Sequence, residues 1–256
     1  HRDLHSFPTR RSSDLIFYIL RAQIVAVIGN VSAVIPICFF TSLAFQEFGH
    51  PIMSLEEAHS VFASTHLLGP TVVFACFTGV LLFLSSLFAG WFENFCIVTS
   101  LPTRLRHNSK LNTLVGKKAA LNMSEFVRAN SNALAANISL GMLLGLVPQL
   151  MKFLSIPLEA RHVTLASGAF ASSLPIMLNQ TEYSVFEFAN AISGIVLIAF
   201  CNLFVSFFLS LTLALAASEG SRGSLIKLLR WTGKTLIRRP YMLIMPERKK
   251  RKEGTP

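Results

Sequence analysis

The chain has 256 residues, of which 52% are hydrophobic and only 14% charged, with a mean hydropathy of +0.54 and a formal net charge of +10. Soluble domains carry about 25% charged residues, so this composition excludes an ordinary water-facing surface and points to an integral membrane protein. The positive charge is clustered beside apolar runs: eleven of the 23 basic residues lie between Arg222 and Lys252, and six more between Arg104 and Arg128. That is the positive-inside pattern of a membrane protein, with anionic lipids as the expected partner and nucleic acid disfavoured.

Residues 1–15 stand apart from the rest of the chain. They lack an apolar core, carry Asp3 and Asp14, and give way abruptly to hydrophobicity at Ile16. They read as an adapter-like, non-native segment ahead of a membrane fragment. Ile24 to Phe45 is the first expected span, since about 20 apolar residues cross a bilayer core. Gln46 to His66 is polar and has no Lys or Arg. Leu67 to Phe92 is the second span, and Glu93 to Ala133 a basic connector.

Leu134 to Leu154 is the third span, with Gly141 and Gly145 spaced to let a second helix backbone approach and Pro148 set to kink its end. Val163 to Leu178 is apolar but short, which suits a re-entrant or buried half-helix. Ala189 to Ala217 is the last span, reaching about 43 Å at 1.5 Å per residue. Beyond it, Lys227, Arg230, Lys234, Arg238 and Arg239 alternate with Leu and Ile near helical period. This predicts an amphipathic helix in the interface plane with lipid-facing cations.

Two stretches repeat. Leu55–Ser64 (LEEAHSVFAS) and Leu158–Ser167 (LEARHVTLAS) match at Leu, Glu, His, Ala and Ser. Asn30-Val31-Ser32 and Asn137-Ile138-Ser139 occupy comparable upstream places. Fixed self-similarity is the mark of a repeated unit. The expected fold is therefore an all-α membrane protein of about four transmembrane helices. They would form two duplicated hairpins with short tip or re-entrant helices, followed by the amphipathic tail. Its segments are residues 16–133, the first hairpin with its connector; 134–220, the second hairpin; and 221–256, the basic tail. Loop charge places the connector and the C-terminus in the cytoplasm and both tips across the membrane.

Glu56-x-x-His59 and Glu159-x-x-His162 each put a carboxylate and an imidazole on one helix face, the arrangement from which di-metal sites are built. Glu47, together with Glu182 or Glu187, would supply the further acids. The plainer expectation makes Glu56 and Glu159 first-turn acids of short tip helices, with the histidines at a repeat interface and no cofactor. Asn30, Asn137 and Asn190 lie within or at the ends of spans, either as interhelical glue or along a transport path. Cys38, Cys76, Cys96 and Cys201 form no C-x-x-C pair and read as small buried hydrophobes. Phosphate-loop, dinucleotide-binding and zinc-protease motifs are absent from the sequence.

The runs Ala89–Phe95 (AGWFENF), Ala135–Pro148 (AANISLGMLLGLVP) and Arg161–Gly168 (RHVTLASG) resemble bacterial membrane proteins classed as site-specific recombinases of the Gcr type. The resemblance covers most of Ile16 to Met245 and implies DNA strand exchange. Tyrosine recombination needs a tyrosine nucleophile ringed by Arg and His to neutralise the developing phosphate charge. Tyr18, Tyr183 and Tyr241 are the three tyrosines. Tyr18 opens an apolar region, Tyr183 falls in an outer loop, and Tyr241 follows the tail helix, where Arg238 and Arg239 suit lipid. A serine recombinase needs a soluble catalytic domain. No catalytic residue is therefore assigned, and a structural or scaffold-like membrane protein is expected. Transport, DNA recombination and a tip metal site are the alternatives, and a homo-oligomer or other membrane proteins the further partners.

Overall fold

The computed structural model describes residues 9–67, 69–179 and 184–217. Among them the chain is entirely helical: α1 (Thr9–Glu47), α2 (Leu55–Ser64), α3 (Thr71–Val98), α4 (Leu101–His107), α5 (Ser109–Val115), α6 (Lys117–Phe153), α7 (Val163–Leu178) and α8 (Val185–Ala217). Four of these, α1, α3, α6 and α8, are long and apolar enough to cross a membrane, and α7 is a shorter apolar helix. The expected number of spans is met. The tail helix with Lys227, Arg230, Lys234, Arg238 and Arg239 lies outside the described residues, as do Glu182, Tyr183 and Tyr241.

The helices gather into two compact units. The first holds α1, most of α2, α7 and the end of α8. Here α7 lies against α1 through small side chains. A Cβ on Gly168 would stand 3.3 Å from Val34 and 3.4 Å from the Cys38 sulfur, and the Ser42 hydroxyl donates to the Ser172 carbonyl at 2.6 Å. Close backbone approach is how helices gain dispersion energy in lipid, where burying apolar surface gains nothing. Phe170 of α7 also packs on Phe62 of α2, with ring centroids 5.1 Å apart. Residues of α7 from Val163 to Met177 are largely buried, so it is a packed half-helix in this unit.

The second unit is built on α3 and α6, with α4, α5, the segment before α7 and residues 186–206 of α8. Serines stitch the unit: Ser85 of α3 donates to the Ala136 carbonyl of α6 at 3.2 Å, and Ser124 of α6 to the Pro102 carbonyl of α4 at 2.7 Å. Both helices are longer than a hydrocarbon core requires. α6 has 37 residues, about 55 Å of helix at 1.5 Å per residue, against a hydrocarbon core of about 30 Å.

The connector over 93–133 is therefore not a loop. Its second half is the polar N-terminal extension of α6, which starts at Lys117 rather than Leu134, and its first half folds as α4 and α5 against that extension. Ser100, in the left-handed region at φ 51°, ends α3, and Gly116 at φ 85° separates α5 from α6. Asn132 donates to the Glu93 carboxylate at 2.8 Å and ties the extension to the end of α3. Pro148 does not end α6, which continues to Phe153.

Candidate functional site

The two Glu-x-x-His copies fold differently. Leu55–Ser64 is helical throughout, with Glu56 in the first turn, and both Glu56 and His59 are exposed. Residues 156–162 are not helical, and α7 begins only at Val163. Glu159 is thus not a first-turn acid, and it does not share a helix face with His162. Its carboxylate instead pairs with Arg161 at 2.8 Å. The copies also fall in different compact units. Among the described residues, no group of three or more His, Cys, Asp or Glu is placed to hold a metal ion. His162 is half-buried, and desolvation lowers its pKa from 6.5.

Arg161 is the residue the sequence pattern undervalued. Its backbone N–H donates to the Thr78 hydroxyl at 2.6 Å. One guanidinium nitrogen donates to the Ser64 carbonyl at 2.5 Å, another reaches Glu159, and the guanidinium carbon lies 5.7 Å from the centre of the Phe74 ring. Thr78 is fully buried and donates its own hydroxyl proton to the Phe74 carbonyl at 2.9 Å. Thr71, at the start of α3, bonds the His66 carbonyl at 2.9 Å.

Phe74 and Thr78 lie near the start of a helix long and apolar enough to cross a membrane, so a cation is held at the end of an apolar helix. An ionisable group there is a functional-site candidate once its partners are named. Here every named partner belongs to the chain itself. The arrangement clamps the 156–162 segment and the α2–α3 junction to α3. The available signal was its sign: Arg161 is the one cation in a tip otherwise free of them.

The intramembrane polar residues separate into classes. Asn30 and Asn137 are exposed and Asn190 half-buried. Gly141 and Gly145 have nothing within 4 Å of where a Cβ would stand, so their face is open in a single chain. Asn202, which hydropathy and spacing did not single out, is 3% exposed, and among the described residues neither its amide nitrogen nor its amide oxygen has a partner. It sits beside a close approach of α8 to α3: a Cβ on Gly79 would meet Val205 Cβ at 2.7 Å and the Cys201 carbonyl at 3.2 Å.

Known proteins offer one point of reference. A family model described as site-specific recombinase matches residues 6–246. No curated protein and no solved structure matches the chain.

Proposed function

The chain belongs to the site-specific recombinase family, and from that premise we propose that it serves as a polytopic scaffold of the bacterial inner membrane rather than as a strand-transfer catalyst. The observation that carries this is the Arg161 cluster. The cation held against the start of α3 directs one N–H of each terminal nitrogen to Ser64 and Glu159 and its face to Phe74. A guanidinium poised for a scissile phosphate keeps donors free for the developing charge; this one is committed to holding segments of its own chain together. The clustered cations of α4, α5 and the α6 extension, set against the cation-free stretch of residues 46–66, support a cytoplasmic cap and C-terminus.

The test uses the purified full chain in lipid nanodiscs. Supercoiled DNA carrying candidate sites should be neither cleaved nor joined, and Arg161→Ala should lower the yield of folded protein without changing that result. Strand exchange abolished by a tyrosine substitution would overturn the proposal.

DNA recombination is the second reading, favoured by the family description and by the cationic cap. It predicts that log affinity for DNA falls steeply with log salt as bound cations are released. Salt-independent or undetectable binding removes it.

A further inference from the structure

The C-terminal turns of α3 carry Phe88, Trp91, Phe92 and Phe95 at helical spacing on one face. Their rings form a continuous ladder, with centroids 5.4 Å apart for Phe88 and Trp91 and 5.7 Å for Trp91 and Phe95. The ladder is not core: Trp91 is 60% exposed. It stands at the level where Asn132 donates to the Glu93 carboxylate, near the C-terminal end of a helix long and apolar enough to cross a membrane.

Directly beyond, α4 packs on α3 and, with α5, on the α6 extension. This cap exposes Arg104, Arg106, Lys110, Lys117, Lys118 and Arg128, and none of them forms an ion pair among the described residues. Large apolar side chains are exposed among these cations, namely Ile97, Val98, Leu114 and Phe126, with Leu114 at 85%. Bare Ile, Val, Leu and Phe side chains beside unpaired cations make a surface that is apolar and cationic at once. The mixture suits the boundary of a bilayer, where aromatic rings sit at headgroup level, apolar side chains enter the acyl region and cations meet phosphate.

We propose that the α4–α5 cap and the Trp91 ladder together form an anionic-phospholipid site, with the cap lying on the headgroup layer rather than projecting from it. The recognised chemistry is a phosphodiester headgroup of net negative charge with its acyl chain against the ladder.

Trp91 reports on the site directly. The full chain, with the other tryptophan replaced (W231F), is reconstituted in nanodiscs that contain equal mole fractions of phosphatidylcholine and phosphatidylglycerol. In one preparation the bromine label is on the choline lipid, in the other on the glycerol lipid. Brominated phosphatidylglycerol is expected to quench Trp91 roughly fivefold more effectively per mole, about the effect of one fully engaged surface cation. In R104Q/R106Q/K110Q/K117Q/K118Q the two lipids should quench alike. All five positions are exposed, so the variant should fold, which its unchanged circular dichroism would confirm.

Equal quenching by both lipids in the parent chain overturns the proposal. So does a phosphatidylglycerol preference that survives the five substitutions. A cap that binds a single-stranded oligonucleotide in pure phosphatidylcholine discs, while showing no lipid preference, assigns the same cations to nucleic acid instead.

Discussion

Removing the Arg161 side chain tests the clamp most directly. The side chain is 17% exposed, whereas Glu159 is 62% exposed. Water therefore screens the ion pair, which counts for no more than about 1 kcal/mol. The bond from the guanidinium to the Ser64 carbonyl is charge-assisted and better shielded, worth about 1.5–3 kcal/mol. Lying over the Phe74 ring adds about 0.5–2 kcal/mol. Arg161→Ala should then cost about 3 kcal/mol. Arg161→Lys should cost about 1–2 kcal/mol, because an ammonium keeps its charge near the ring but cannot hold the two-pronged geometry. Glu159→Gln should cost less than about 1 kcal/mol. Reversible unfolding in mixed micelles with rising dodecyl sulfate reads these differences. Amide exchange over residues 156–162 shows whether the loss is local to the clamped segment. If Arg161→Ala and Glu159→Gln prove equally mild, the burial argument is wrong and the cluster is a surface ion pair.

Gly194→Ala should be severe, because the new Cβ would overlap the Thr65 carbonyl oxygen. Gly141→Ala, with open space, should stabilise α6 by up to about 1 kcal/mol through helix propensity; both are read in the same micelle titration, and a destabilised G141A would reveal a partner helix on that face. Asn202→Leu removes two unsatisfied buried polar atoms and should be neutral or stabilising by that titration; a marked loss of stability would mean the amide has a partner such as an internal water. His162 is neutral when buried, its pKa lowered from 6.5 by desolvation. Its contribution is therefore intact above pH 6.5 and declines as the pH falls below it, because the unfolded state takes up the proton first. His162→Leu should flatten that part of the stability–pH curve. Ser54→Ala should fray the first turn of α2, seen as faster amide exchange at Glu57.

The spans were legible because hydrophobic run length decides them almost alone. The polar extension of α6 was not, because hydropathy was the criterion and residues 117–133 are poor in long apolar runs. Its pattern was nonetheless present in another form. Ala120, Ser124, Ser131 and Ala135 are the buried positions of α6, and their spacing of four, seven and four is helical. In a hairpin packed by small residues, the spacing of Ala and Ser carries the signal that Leu and Ile carry in a soluble core. Arg161 was hidden for a different reason. Its role depends on Thr78 and Ser64, 83 and 97 residues away, and no local spacing encodes such a meeting.

The repeated decapeptide shows how little sequence identity is needed to change a backbone, and how little suffices to mislead. In the first copy Ser54 precedes the repeat and Glu57 lies three residues on. The Glu57 N–H donates to the Ser54 hydroxyl at 3.2 Å, and the Ser54 N–H to the Glu57 carboxylate at 2.7 Å. That reciprocal pair satisfies two donors left over at a helix start, and it holds the Glu57 carboxyl below its ordinary 4.5. The equivalent positions in the second copy are Pro157 and Ala160. Neither can form the box, and Pro157 has no N–H to offer. The Arg161 N–H, whose counterpart in the first copy is the Ala58 N–H that donates to the Ser54 carbonyl at 3.0 Å, is taken instead by Thr78. Glu159 and His162 are matched to Glu56 and His59 in sequence, but the backbone that would give them a matching geometry is never started. The feature that separates the copies lies in two capping positions, one just outside the aligned segment and one at a mismatch within it. Arg161, at the place where the first copy has Ala58, then turns the unwound segment into an anchor.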